Sequence, residues 1–188
     1  MEISNKNRFV EFLKKYGIYA VVGIVVFAIA LTFTLASTLS KTTSPTSVET
    51  ITFSMPMTDA VVLKDYSDTS LQKNDTLNQW EAHLGVDMTS TSNDVYSVLA
   101  GQVMKVEYDF LKGNTITIQH ANGFVSCYSS LASDNLLEEG AKVMAGEKIG
   151  EISESATAEI DLGSHLHFTL MLNGNLVDPN DYLDLQQK

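Results

Sequence analysis

The run "GIYAVVGIVVFAIALTFTLASTL", Gly17 to Leu39, holds 23 residues without a charge and constrains the chain before any motif does. As a helix rising about 1.5 Å per residue it would be roughly 34 Å long, enough to cross a hydrocarbon core of about 30 Å. The length of this uncharged run predicts an uncleaved single-pass anchor. A cleaved signal peptide is the competing reading, but its apolar region is usually only about 7–15 residues long. Lys6, Arg8, Lys14 and Lys15 outnumber Glu2 and Glu11 ahead of the run, which predicts a cytoplasmic amino terminus. The expected organisation is a cytoplasmic tail over 1–16, a transmembrane helix over 17–39, a polar stalk over 40–50 and an extracytoplasmic domain over 51–188. The stalk, "SKTTSPTSVET", carries one proline and few side chains able to build a core.

Beyond Lys41 the chain has 7 Lys and no Arg against 21 Asp and Glu. Such a balance opposes nucleic acid and anionic lipid surfaces, both negatively charged, so nucleic acid is not an expected partner. A protein or a wall polymer fits better. Cys127 is the single cysteine, so the outer domain has no internal disulfide and must rest on its own core.

That core reads as all-β. Short apolar runs such as "VYSVLAGQVMKVEY", "GNTITIQH", "GFVSCYSSL" and "SHLHFTLML" alternate with Gly, Asn, Asp and Ser, and no long amphipathic helix interrupts them. A twisted open sheet or a small sandwich is expected. The segment 55–80 is less regular and reads as a loop, or as an irregular strand and turn, with Tyr66 and Trp80 as anchors and Trp80 packed in the core.

"HLGVD" sets His83, Gly85 and Asp87 at alternate positions, and "HLHF" does the same for His165 and His167. In extended backbone each set shares a face, and Gly85 leaves space between His83 and Asp87. Three of the four histidines thus fall in two tight groups with a carboxylate, a donor set that suits zinc. His83, Asp87, His165 and His167 are all available, and they need not all bind.

These motifs, together with "VLAGQV", "GNTITIQHANG", "YSSL", "EGAKVMAGEKIG" and "NGNLVDPNDYL" in this order, resemble the lysostaphin-type or LytM-like zinc endopeptidases that cut peptidoglycan cross-links. The resemblance runs from about Trp80 to Leu183. It implies a LytM-like fold of the duplicated hybrid motif type, a twisted antiparallel β-sheet behind the one amino-terminal transmembrane helix. It also implies one Zn2+ per chain held by His83, Asp87 and His167, with His165 as one of two histidines flanking the metal water. The second such histidine stands two residues after the tyrosine of a Y-x-H-L pattern, where this chain has Ser130. The site is therefore expected to be degenerate, with little or no hydrolysis. His120 is expected to stabilise the turn at Asn122 and Gly123, and Cys127 to fill a small packing space.

The tail, anchor, stalk and single domain further resemble a sporulation branch of the family in endospore-forming Firmicutes. That likeness implies a forespore membrane anchor, a domain in the space between forespore and mother cell, and pairing with stage III sporulation protein AH in a channel that supports engulfment. Contact with peptidoglycan is compatible with it. The alternative is an active zinc-dependent peptidoglycan endopeptidase that replaces the missing base, through His120 or a different arrangement of water.

Overall fold

A computed structural model describes residues 14–17 and 51–185. The chain divides into two compact units, Met1–Thr50 and Ile51–Lys188. In the first, residues 14–17 are helical. The second is built from antiparallel strands.

The strands are β1 (Val61–Lys64), β2 (Ser67–Asn74), β3 (Gln79–His83), β4 (Val86–Thr89), β5 (Asp94–Tyr96) and β6 (Gly101–Asp109), followed by β7 (Gly113–His120), β8 (Phe124–Leu131), β9 (Lys142–Val143), β10 (Lys148–Glu151), β11 (Leu166–Leu172) and β12 (Asn175–Val177). The main sheet runs β1-β4-β11-β8-β7-β6-β9, with β12 also paired to β11, while β10 with β5 and β2 with β3 form two small sheets.

Strand periodicity decides which face each side chain takes. In β11, Leu166, Phe168 and Leu170 are fully buried while His167, Thr169 and Met171 on the opposite face are half-buried. Phe168 lies opposite Tyr128, which lies opposite Ile116, so one apolar row crosses three strands. The Tyr128 and Phe168 rings lie 5.3 Å apart between centroids. Val95 and Ile149 of the β5–β10 pair belong to the same core. Opposite this row, on the other face, His167 pairs with Asp87 on one side and Ser129 on the other. The turn into β12 uses Asn173 and Gly174, both at positive φ (51° and 81°), as a tight hairpin turn demands.

Two expectations change. No helix among the described residues is long and apolar enough to cross a membrane. Among the described residues of the second unit the longest helical segment is the six-residue 3-10 helix Thr157–Leu162. At about 2.0 Å per residue such a helix falls far short of a bilayer core of about 30 Å. Among the described residues the fold is accordingly a mostly antiparallel, LytM-like β-sheet without a spanning helix, and the expected single-pass forespore-membrane topology is corrected to that extent: they hold no helix that would supply it. The run 17–39 lies outside the described residues except for Gly17, as does the stalk over 40–50. Trp80 is 66% exposed rather than packed in the core, because the β2–β3 hairpin that carries it stands off the main sheet. Tyr66 does pack against the core.

Candidate metal centre

His83 closes β3 and Asp87 lies within β4, so the two are joined by a bend at Leu84 and Gly85 rather than by one continuous strand. The space left by Gly85 is taken by a ligand. A Cβ on Gly85 would stand 2.8 Å from His167 Nε2 and 2.9 Å from the Phe168 carbonyl oxygen. Glycine is required there because His167 approaches the backbone so closely.

His83, Asp87, Glu159 and His167 each offer one ligand atom, and these atoms all lie within 4.8 Å of one another. Asp87 Oδ1 accepts from His167 Nδ1 at 2.7 Å. His83 Nδ1 lies 2.8 Å from the Asp65 carbonyl oxygen, and donation to it turns the Nε2 lone pair toward the cluster. His83 Nε2 and Asp87 Oδ2 approach to 3.1 Å, yet both are buried without a hydrogen-bond partner. Two orphaned polar atoms facing each other in a dry interior are costly unless a third centre satisfies both. A cation does that, and nitrogen and carboxylate donors suit zinc.

Burial pushes the Asp87 carboxyl upward, but the hydrogen bond from His167 and the nearby His83 outweigh it and hold the group below its ordinary range. Glu159 follows the same pattern, with burial opposed by His165 and His167, and is held well below the ordinary value. Burial favours the neutral form of His167, but Asp87 and Glu159 overcome this and raise it to about 10. Negative charge in excess of what two imidazoles supply is the environment of a cation site.

His165 is fully buried beside the cluster. Its Nδ1 lies 2.7 Å from the Gly163 carbonyl oxygen and its Nε2 3.6 Å from Glu159 Oε2, too far for a hydrogen bond. Burial lowers its affinity for a proton, and Glu159 with the Gly163 carbonyl raises it above the ordinary value on balance.

Ser130 stands outside this group. Its hydroxyl donates to the Ser153 carbonyl at 2.8 Å, and Ser153 N donates back to the Ser130 carbonyl at 2.7 Å. The expectation of a degenerate site is thereby corrected: every member of the cluster is a histidine or a carboxylate, and no serine replaces any of them. The serine closes a backbone bridge beside the strand end that carries His165. His120 is not in the cluster either. Its ring spans the Ala100 carbonyl at 3.1 Å and Ser126 Oγ at 2.6 Å, a sheet contact rather than the support expected at Asn122. Cys127 is half-buried, with Thr117 Oγ1 3.7 Å from its sulfur.

Glu159 is the member that sequence reasoning missed. It comes from the 3-10 helix between β10 and β11, six residues before His165, and the backbone changes from that helix to an extended strand between them, so no single period relates the two.

The profile of peptidase family M23 matches residues 81–179, more than half of the chain and all four cluster residues. The chain belongs to peptidase family M23. Among curated relatives, stage II sporulation protein Q of Bacillus subtilis is 31% identical over 110 residues, covering 57% of this chain and 38% of that protein. Peptidoglycan DD-endopeptidase ShyC of Vibrio cholerae is 29% identical over 97 residues, covering 51% of this chain and 22% of that protein. The chain thus spans well under two thirds of the length of these relatives. A chain in the structure of the SpoIIQ–SpoIIIAH pore-forming complex superposes with a TM-score of 0.61 at 26% identity, covering 72% of this chain and 92% of that one. A zinc-containing peptidase from Vibrio cholerae superposes at 0.53 and 27% identity, covering 63% of this chain and 35% of that one. The compact His, Asp and Glu cluster matches the M23 pattern of a zinc-binding site.

Proposed function

We propose that this M23 domain is a sporulation scaffold module that pairs with a protein of the stage III sporulation protein AH kind. His83, Asp87 and His167 hold zinc in this reading, one ion per chain. The observation that carries it is the likeness to a chain of the SpoIIQ–SpoIIIAH complex, which extends over 92% of that chain and so includes regions beyond the metal centre. The sequence relationship to stage II sporulation protein Q points the same way. The experiment is titration calorimetry, with size exclusion and light scattering, on this chain and purified stage III sporulation protein AH. A discrete complex is expected. Absence of association at tens of micromolar would sink the scaffold reading.

The intact cluster favours a second reading, a zinc-dependent peptidoglycan endopeptidase. Zinc held there supplies Lewis acidity toward a carbonyl oxygen and a bound water. His165, with Nδ1 tied to Gly163 and Nε2 directed at the cluster, is the side chain that would handle the proton. Peptide release from peptidoglycan by the zinc-loaded chain, absent in His165→Ala, is the result this reading requires.

A further inference from the structure

Glu159 differs from the other three cluster members in what carries it. His83, Asp87 and His167 sit on strands, where ladder hydrogen bonds fix the backbone. Glu159 sits in the 3-10 helix Thr157–Leu162, none of whose residues is buried, and its own backbone leaves the helical region at φ −135°, ψ 27°. Its side chain nevertheless points inward and is only 13% exposed.

The carboxylate divides between the neighbours on either side. Oε1 faces His83 Nε2 at 3.7 Å and Lys64 Nζ at 4.0 Å. Oε2 faces His167 Nδ1 at 3.3 Å and His165 Nε2 at 3.6 Å. Glu159 is thus directed at the same point as the orphaned His83 Nε2 and Asp87 Oδ2. Structural zinc sites take four protein ligands, whereas catalytic ones take three and keep the fourth position for water or substrate.

We propose that Glu159 is a fourth protein ligand, and that the Thr157–Leu162 turn is a plug that closes the metal site in this conformation. The proposal rests on the zinc reading above and adds a state to it. Four polar contacts hold the plug from two sides. Asn74 Nδ2 donates to the Ala158 carbonyl at 3.0 Å, and Asp161 N donates to Thr76 Oγ1 at 3.2 Å. Thr157 Oγ1 donates to the Phe110 carbonyl at 2.5 Å, and Ala158 N to the Leu111 carbonyl at 3.1 Å. Bonds of this kind contribute about 1 kcal/mol each. Lifting the turn breaks these four contacts and the Glu159 contacts to Lys64 and the histidines but no ladder bond of the strands that carry the other three ligands. Closed, the site is a structural zinc site that serves a scaffold; lifted, it has the open position that hydrolysis needs.

The test loads the full chain with cobalt(II) in place of zinc and follows the visible spectrum as azide is added. The wild-type spectrum should resist azide, and Glu159→Gln should shift with it. Zinc affinity, measured by competition with a chelator, should fall at least about tenfold in Glu159→Gln, as loss of a ligand should cost no less than loss of an outer-shell partner. Thr157→Ala keeps all four cluster residues and removes one of the two contacts to the Phe110–Leu111 segment, so its azide response should lie between the two. A wild-type spectrum as sensitive to azide as that of Glu159→Gln would overturn the plug while leaving the three-ligand zinc reading intact. Failure of the wild-type chain to take up either metal would overturn both.

Discussion

Asp87 and His167 lie directly opposite each other across the β4–β11 pair and are joined by a 2.7 Å hydrogen bond from Nδ1 to Oδ1. Register alone brings them together, because residues directly opposite in antiparallel strands share a face. Two of the four cluster residues are therefore fixed by the main sheet, while His83 reaches the site from the β2–β3 hairpin and Glu159 from the 3-10 helix. His83→Ala and His167→Ala should each abolish stoichiometric zinc uptake, measured by elemental analysis after mild purification. Zinc at 100 times its dissociation constant should stabilise the wild-type fold by about 2.7 kcal/mol, and chelation should remove that increment. Unchanged zinc content in both variants would exclude these ligands.

The close approach at Gly85 gives a sharper test, because it alters no ligand. In Gly85→Ala the new methyl would meet His167 Nε2 at 2.8 Å and Cε1 at 2.9 Å, so the imidazole must move. Zinc affinity should fall by about 10–100-fold, the range seen when groups that orient ligands are lost. Stability should also fall, since Phe168 O is fixed in the sheet and equally close. Chelator competition together with thermal unfolding separates the two effects.

Alternation made the buried face of β11 and β8 legible in sequence, since Leu166, Phe168, Leu170, Phe124 and Tyr128 fall at period two. The same period put His165 and His167 on one side. It could not reveal Glu159, whose place depends on a short helix folding back between two strands. Nor could it show that His83 and Asp87 belong to different strands, because the bend at Gly85 exists to accommodate a histidine more than 80 positions later in the chain. Trp80 misled because an isolated tryptophan reads as core, whereas here it stands on an exposed two-stranded hairpin.

Ser130 should matter to the fold in a way that its sequence context hides. It sits at φ 64°, in the left-handed region, and is fully buried. For a non-glycine residue that backbone costs about 1–2 kcal/mol. The hydroxyl bond to Ser153 returns about 1 kcal/mol. Ser130→Ala keeps the strain and loses the bond, and should destabilise by about 1 kcal/mol. Ser130→Gly loses the bond and relieves the strain, and should lie close to wild type. Urea denaturation of the three proteins decides the order; equal stability of all three would mean that the hydroxyl bond contributes nothing.

His120 lies in a buried polar chain that runs through Ser126 Oγ at 2.6 Å to Tyr128 Oη 3.0 Å further on, with Val98 N donating to Tyr128 at 2.9 Å. Burial holds His120 below its ordinary value, against the opposing effect of the Ala100 carbonyl, and burial pushes the Tyr128 hydroxyl up to about 12. An unfolded histidine titrates near about 6.5. Below that pH the unfolded chain binds the proton first, so stability falls with falling pH. The contribution of neutral His120 is present in full above about 6.5 and is lost as the pH drops through the folded value. In His120→Gln that loss disappears, because an amide keeps a donor and an acceptor without titrating. Between about pH 7.5 and 5.5 the wild type should lose more stability than the variant, by at most about 1.4 kcal/mol in total and nearly all of it below about pH 6.5. Urea denaturation at both pH values, with chelator present so that metal release does not contribute, measures the difference; parallel losses in the two proteins would show that the His120 chain does not couple folding to protons.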